Sequence, residues 1–303
     1  MFLAPIMNSK FMELIGGDSV KEYVRLVNYG LEQLKGKIAT EEAAKAEGKE
    51  LRKDMMHYIL NAQDPKTGMK LSKAELLAES VLFILAGADT VAISLAASFF
   101  YLVHNANTLQ KATAEVRSTF QSADEIKNGE ALKSCKYLDG VMEETLRRAP
   151  PKPSHIPREV LPGGLLIDSN HIPVGTVVGV PAYSIHHNSD YYPDPWSFRP
   201  ERWLVDEKAG VSQASVDLAY RAFCPFSLGI RACIGKNLAY LEYKLALAHI
   251  LWRFDIRQAE GETLGEGGPD LGEGRQRVDE FQMVDFIAAM KEGPMVEFKA
   301  ARH

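Results

Sequence analysis

This 303-residue sequence has few cysteines, no acceptor site for N-glycosylation and no large excess of either charge. Its three cysteines (Cys135, Cys224 and Cys233) cannot all pair, and with no Asn-x-Ser/Thr site they favour a reducing compartment. The formal net charge is −5, from 35 basic and 40 acidic side chains, which argues against a broad nucleic-acid-binding surface. Hydrophobic residues at 46% and charged residues at 25% exclude a disordered chain, a collagen and a disulfide scaffold.

The N-terminal segment, MFLAPIMNSKFMELIGG, lacks the basic start and the continuous apolar run of a signal peptide or membrane anchor. The longest weakly charged stretch runs from Ser80 to Val103, and Asp89 is its one charged residue. About 20 apolar residues can span a bilayer, but a carboxylate at mid-span costs about 2.5–3.5 kcal/mol. We therefore expect a helix buried in the core of a soluble protein, with a single membrane span as the alternative.

Residues 18–149 predict a succession of helices, because apolar side chains recur at helical spacing. The longest helix begins at a capping box of Ser72 and Glu75 and runs without proline to about His104. Because it is apolar on most sides, we expect it to be buried and to cross the centre of the molecule. Two further helices are expected near 108–120 and 137–148.

Residues 150–235 are rich in proline, glycine and aromatic residues, and short β-type runs such as Thr176–Val180 lie between turn signals. A last strong helix follows Cys233, and strand-like alternation returns near Met295–Phe298. Between them, residues 259–275 form an acidic, glycine-rich loop that we expect to be solvated and mobile. The predicted fold class is mainly α with minor β.

The segment around Cys233 has the composition of a binding loop, Phe226-Ser-Leu-Gly229-Ile-Arg231-Ala-Cys233-Ile-Gly235. A lone buried cysteine is usually a small core residue, but the two glycines permit close approach to a flat or bulky group. A helix start favours negative charge on the Cys233 sulfur, and Arg231 can bind an anion beside it. A haem iron and its carboxylates require these groups.

The segment Ala86-Gly-Ala-Asp-Thr90 lies in the middle of the long helix. A carboxylate buried there, that of Asp89, requires a partner or a function. Thr90 can bond to a carbonyl one turn back and open the helix slightly at Gly87. A structural kink and an acid–hydroxyl pair that delivers protons to bound dioxygen are the two alternatives.

Glu144 and Arg147 share one helix face because they are three residues apart. Such a pair is usually a surface salt bridge of little energetic consequence. Arg202 supplies another arginine from residues 150–235, which we call the aromatic region. The alternative is therefore a buried ion network that fixes the loop before the cysteine. His186 and His187 are adjacent, but the sequence offers no third ligand nearby, and we expect no metal site there.

In their order along the chain, these motifs resemble those of the cytochrome P450 family. The cysteine loop matches completely, Glu144 and Arg147 match the family's Glu-x-x-Arg, and Arg202 matches the arginine that completes its structural triad. The resemblance implies that Cys233 is the axial iron ligand of haem b. By the same resemblance, Glu144, Arg147 and Arg202 are structural.

Other matches extend the resemblance over nearly the whole chain. Residues 86–90 match the oxygen-activating helix, although Val91 replaces the usual Thr or Ser, and Asp89 and Thr90 are implied to be catalytic. Pro157-Arg158 resembles the segment that follows the Glu-x-x-Arg helix. The implied architecture is a single P450 domain over residues 1–303.

The resemblance also assigns contacts to the haem and the substrate. The implied cofactor-binding residues beside the ligand are Arg231 and Arg158, which would bind the propionates, and Phe226 and Gly235. The implied substrate-facing positions are Phe83, Gly87, Ala88, the segment 152–156 and the turn near Phe286.

Members of the family are haem-thiolate monooxygenases that insert one oxygen atom from O2 into a small lipophilic substrate. Their electrons come from NADPH through a P450 reductase. The sequence looks most like microsomal members of filamentous fungi that act in secondary-metabolite biosynthesis at the cytosolic face of the endoplasmic reticulum. We expect no nucleic-acid partner.

Family members are longer than 303 residues, so we expect a chain shortened at its N-terminus, without the anchor and part of the substrate pocket. Such a chain is expected to be cytosolic or membrane-peripheral and to fold poorly in isolation. The alternatives are an impaired haem-binding remnant and a haem-thiolate isomerase or dehydratase that needs no oxygen.

Overall fold

The computed structural model describes residues 17–286 and 288–302, with side chains from residue 21 onward. The predicted lack of a signal peptide or anchor in the N-terminal segment concerns residues that lie almost entirely outside this range. The chain divides into two compact units, with the boundary between Ala88 and Asp89. The single domain over residues 1–303 stays a prediction.

The described residues are mainly helical with minor β-structure, as the sequence predicts. The helices are α1 (Gly17–Ala46), α2 (Met55–Asn61), α3 (Lys73–His104), α4 (Ala106–Thr119), α5 (Glu130–Ser134), α6 (Lys136–Arg148), α7 (Ala182–His186), α8 (Gln213–Ala222) and α9 (Lys236–Arg253). The strands are β1 (Arg158–Glu159), β2 (Leu165–Ile167), β3 (Asn170–Ile172), β4 (Val177–Val178), β5 (Phe254–Gln258), β6 (Met283–Val284), β7 (Met290–Lys291) and β8 (Val296–Ala300). They form antiparallel pairs β1–β4, β2–β3, β5–β8 and β6–β7.

The capping box predicted at the start of α3 is confirmed. The Ser72 amide donates to Glu75 Oε2 at 2.7 Å, and the Glu75 amide donates to Ser72 Oγ at 3.3 Å. These bonds satisfy two of the amides that a helix start leaves without partners.

The core of the second unit lies among the C-terminal half of α3 and helices α4, α6 and α9. Ala97, Phe100 and Leu102 of α3 are fully buried there. Polar groups join three of these helices: Ser98 Oγ of α3 donates to Thr145 Oγ1 of α6 at 3.3 Å and hydrogen-bonds Tyr243 of α9. Buried hydroxyls paired in this way avoid the cost of unsatisfied polar groups.

The prediction that α3 is buried along its length is wrong. Leu82 and Leu85 are 53% and 44% exposed, and Asp89 is also exposed, whereas Ile93 and the residues after it enter the core. An apolar sequence makes burial favourable but does not supply the surface that covers it. Among the described residues, α3 is the helix long and apolar enough to cross a membrane, with a mean hydropathy of 1.9.

Helix α6 lies very close to the 3-10 turn Pro200–Trp203. A Cβ atom at Gly140 would lie 2.7 Å from the carbonyl oxygen of Pro200. Only glycine permits this approach without displacing the backbone of the turn, so Gly140 sets how closely α6 and the aromatic region pack.

The acidic, glycine-rich loop is tied to the second unit by its residue Glu266. Oε1 of Glu266 lies 3.0 Å from Nε2 of His104, and it accepts a hydrogen bond of 2.6 Å from Gln258 Nε2. The mobility expected for residues 259–275 stays a prediction.

Candidate functional site

Cys233 lies in the loop between α8 and α9, three residues before the first helical residue, Lys236. Its amide donates to the carbonyl oxygen of Phe226 at 2.8 Å, which closes the loop. A 3-10 turn at Gly229–Arg231 precedes the cysteine, and Gly229 has a φ of 76°, a value that favours glycine.

The cysteine loop presents an apolar surface to solvent. Cys233 is exposed, and the side chains of Leu228, Ile230 and Ile234 are 69%, 102% and 95% exposed. Exposing two isoleucines almost completely forgoes about 1.5–3 kcal/mol of burial free energy at each. The arrangement suits a loop whose natural contact is a large apolar group.

Glu144 and Arg147 form a fully buried ion pair on α6. Arg147 Nε donates to Glu144 Oε2 at 2.9 Å, and Nη2 donates to Oε1 at 2.8 Å, so the pair is bidentate. Arg202 Nε lies 3.5 Å from the same carboxylate. The structure thus brings together the three residues that the sequence suggests for a buried network, and the surface salt bridge is excluded.

Further donors complete the shell around Glu144. The Arg199 amide donates to Oε1 at 3.0 Å, and Trp203 Nε1 donates to Oε2 at 2.9 Å. Burial alone would raise the pKa of this carboxyl, but Arg147 and Arg202 with these hydrogen bonds hold its pKa at about 2. Glu144 is therefore ionised at neutral pH.

The network continues to the cysteine loop through His186. Arg147 Nη1 donates to the His186 carbonyl oxygen at 2.8 Å, and the His186 ring accepts at Nε2 from the Cys224 amide at 3.0 Å. Burial, together with the positive charge of Arg147, lowers the pKa of His186 to about 3, so the ring is neutral. The sequence raises His186 only as a possible metal ligand, and it carries no distinct signal for this bridge.

The acid–hydroxyl pair lies within α3, which is assigned as helix from Lys73 to His104. The slight opening of the helix at Gly87 stays a prediction. Asp89 is exposed and Thr90 is half-buried. Ser94 Oγ donates to the Thr90 carbonyl oxygen at 2.9 Å one turn further along. The expectation that Asp89 is a buried carboxylate is wrong, because the helix enters the core only after it.

The two arginines predicted to bind propionates are both exposed. Arg158 begins β1, where it pairs with Val178, and its Nη1 donates to the Pro157 carbonyl oxygen at 3.0 Å. Arg231 belongs to the turn before Cys233. Because both side chains are exposed, an anionic ligand can reach them.

Two of the predicted substrate-facing segments of the second unit touch each other. Lys152 Nζ donates to the Phe286 carbonyl oxygen at 2.9 Å and lies 3.6 Å from Asp285 Oδ1. Phe286 is 62% exposed. In the first unit, Phe83 is half-buried, and Gly87 and Ala88 are exposed. Their contact with substrate stays a prediction.

Within the residues that the structure describes, no group of three or more His, Cys, Asp or Glu side chains is arranged to hold a metal ion. His186 accepts from a backbone amide, and His187 stacks on Trp196 at 4.6 Å between ring centroids.

The Cytochrome P450 family model matches residues 3–266. A cytochrome P450 monooxygenase of Gibberella zeae is 42% identical over 250 residues, which cover 82% of this chain and 56% of that protein. The cytochrome P450 monooxygenase apf8 of Gibberella fujikuroi is 41% identical over 249 residues, covering 82% of this chain and 66% of that protein.

A third relative, the cytochrome P450 monooxygenase AKT7 of Alternaria alternata, is 40% identical over 251 residues, or 82% of this chain and 48% of its own length. The chain therefore spans about half to two thirds of the length of the curated relatives that it matches.

Proposed function

The chain belongs to the cytochrome P450 family, and from this premise we propose that it carries the haem-binding and oxygen-activating part of a haem-thiolate monooxygenase. The reaction inserts one oxygen atom from O2 into a small lipophilic substrate in secondary-metabolite biosynthesis. The observation that carries the proposal is the exposed cysteine in an apolar loop, which hydrogen bonds connect to a buried ion network.

The residues of the cysteine loop fit a haem. Haem is flat and largely apolar with two carboxylates, and Cys233 is surrounded by exposed Leu228, Ile230 and Ile234. A Cβ atom at Gly235 would lie 3.8 Å from the Cys233 sulfur, so glycine keeps this side of the sulfur open. We propose Cys233 as the iron ligand, with Phe226 and Gly235 shaping its loop.

Arg231 and Arg158 are proposed to bind the two haem propionates. Both guanidiniums are exposed. Arginine suits this role because its planar group binds a carboxylate with two parallel hydrogen bonds. When bound, the haem supplies oxygen activation and electron transfer, and the thiolate ligand favours cleavage of the O–O bond.

Asp89 and Thr90 are proposed to handle protons. The Asp89 carboxylate is exposed to solvent, and the adjacent Thr90 carries the hydroxyl that would pass a proton on. Glu144, Arg147 and Arg202 take no part in proton transfer, because their charges are satisfied in a buried network. Their proposed role is to fix the aromatic region that precedes the cysteine loop.

The proposed redox partner is an NADPH-dependent P450 reductase, which supplies the electrons that monooxygenation consumes. We further propose that the protein works at the endoplasmic reticulum membrane, facing the cytosol. The likeness to fungal monooxygenases supports both statements.

The test uses the full chain reconstituted with haem, a P450 reductase and NADPH, with a panel of lipophilic compounds. We expect oxygen consumption coupled to an oxygenated product. Thr90→Ala is expected to keep the haem spectrum but to lower the product formed per O2 about tenfold or more, with release of hydrogen peroxide.

Ser94→Ala, which removes a hydroxyl one turn away, is the matched control and should retain coupling. A haem-loaded chain that forms no product with any compound would instead indicate the impaired remnant. Unchanged coupling in Thr90→Ala would limit Thr90 to a structural role.

A further inference from the structure

A carboxylate, a phenol, a phenyl ring and an ammonium group form a cluster behind the cysteine loop. Glu143 of α6 is the neighbour of Glu144 but takes no part in the ion network described above. Tyr240 and Lys236 belong to the first turns of α9, and Phe226 begins the cysteine loop. Tyr240 contacts each of the other three residues within the second unit.

Tyr240 is fixed at both ends of its side chain. Its hydroxyl donates to Glu143 Oε2 at 2.8 Å. Its ring lies against the ring of Phe226, with 5.1 Å between centroids and 41° between planes. Lys236 Nζ lies 5.9 Å from the centroids of both rings, within the range of a cation–π interaction.

Phe226 in turn connects this cluster to the cysteine. Its carbonyl oxygen accepts the Cys233 amide at 2.8 Å, the bond that closes the loop. A continuous series of contacts therefore runs from Glu143 through Tyr240 and Phe226 to Cys233. Each step is a hydrogen bond or a ring contact, so displacing Tyr240 displaces the residue that closes the loop.

We propose that Tyr240, oriented by Glu143, is a positioning residue that holds Phe226 and thereby keeps the Cys233 loop in its binding geometry. The consequence for haem ligation rests on the proposed function, whereas the effect on the loop itself does not. Tyr240 acts on the loop through its ring contact with Phe226.

The hydrogen bond from Tyr240 to Glu143 can form whether the Glu143 carboxyl is ionised or protonated. Burial raises the pKa of Glu143 to about 7, and Asp139 adds to the effect, whereas the Tyr240 hydrogen bond and Lys236 oppose it. Either form of the carboxyl retains an oxygen that accepts from the Tyr240 hydroxyl. An amide in place of the carboxyl retains one as well, which provides a conservative variant.

The experiment measures hydrogen–deuterium exchange of residues 224–235 in the full chain, with and without haem. Tyr240→Phe removes the hydroxyl, Tyr240→Leu removes the ring, and Glu143→Met removes the acceptor. Glu143→Gln keeps an acceptor oxygen. Tyr137→Phe is the matched control, because the Tyr137 hydroxyl makes an equivalent 2.8 Å bond to Glu201, away from the cysteine loop.

We expect exchange of the loop to accelerate about fivefold in Tyr240→Phe and Glu143→Met, the scale of one net hydrogen bond. Tyr240→Leu should exceed both, and Glu143→Gln and Tyr137→Phe should match the wild type. Exchange in the core helices should stay unchanged in Tyr240→Phe. Loop exchange that is unchanged in Tyr240→Phe, or that rises equally throughout the chain, would overturn the proposal.

Spectra of the haem-loaded samples distinguish a failure of the positioning role from a failure of the proposed function. If the function is correct, Tyr240→Leu lowers the share of the reduced, carbon-monoxide-bound form that has the red-shifted Soret band. If no variant and no wild-type sample shows that band but the exchange pattern holds, the proposed function fails and the positioning role stands. A normal band in every variant together with unchanged exchange defeats the positioning role alone.

Discussion

Glu144 carries the charge on which the buried network of the second unit depends. Replacing it with glutamine leaves Arg147 and Arg202 buried without a counterion, which typically costs about 3–5 kcal/mol. We expect Glu144→Gln to lower the free energy of unfolding by that amount in urea titrations. Glu201→Gln is the control, because Glu201 is 38% exposed and pairs with Lys111 at the surface, where a pair contributes at most about 1 kcal/mol. Equal losses in the two variants would contradict the account.

The adjacent residues Glu143 and Glu144 respond to pH with opposite signs. The folded-state pKa of Glu144 is lowered to about 2, so its stabilisation is present above pH 4.5 and is lost as the pH falls toward 2. The folded-state pKa of Glu143 is raised to about 7, so it destabilises the fold increasingly as the pH rises from 4.5 to 7.

Thermal unfolding of the wild type and Glu143→Gln across pH 4.5–8 checks this assignment. The glutamine variant should lose stability less steeply than the wild type as the pH rises through that window. Parallel profiles would contradict the raised pKa of Glu143.

Among the elements, α6 links the core to the buried ion network of Glu144. We expect Gly140→Ala to separate α6 from the Pro200–Trp203 turn, because the added methyl group would lie 2.7 Å from a backbone oxygen. The cost of such overpacking is about 1–3 kcal/mol, and Trp203 should report it as a change in fluorescence. Gly36→Ala on α1, where a Cβ meets nothing within 4 Å, should be neutral or stabilising. An unchanged free energy of unfolding in Gly140→Ala would contradict this expectation, because it would show that the turn moves away from α6 without cost.

The helices could be predicted from the sequence because local chemistry marks their ends. Ser72 with Glu75 starts α3, and Pro150 follows the end of α6, so both helices match their predicted bounds within a residue or two. The exposure of Leu82 and Leu85 could not be predicted, because periodicity describes the polarity of a helix and not what covers it. The strands are short and were located only approximately, since their pairing depends on distant residues.

The candidate site also has a part that could be predicted from the sequence and a part that could not. Spacing alone brought Glu144 and Arg147 to one face, and the structure adds the bidentate geometry. The bridge through His186 and the cluster at Tyr240 were missed, because both join segments separated by 38 and 97 residues. Contacts of that range follow from the tertiary fold and leave no local pattern.

The whole molecule divides into two compact units, and the proposed functional residues are distributed over both. The cysteine loop, its ion network and the Tyr240 cluster all lie in the second unit, after residue 88. The machinery proposed to hold the haem from the cysteine side is thus contained in residues 89–303, whereas the proposed substrate contacts Phe83, Gly87 and Ala88 belong to the first unit.

The absorption spectrum of the haem-reconstituted, reduced, carbon-monoxide-bound full chain tests whether Cys233 ligates the haem iron. We expect a strongly red-shifted Soret band that is lost in Cys233→Ser, while circular dichroism shows the same helix content in both proteins. A red-shifted band that persists in Cys233→Ser would contradict the assignment of the ligand, and an unshifted band in the wild type would contradict thiolate ligation by this chain.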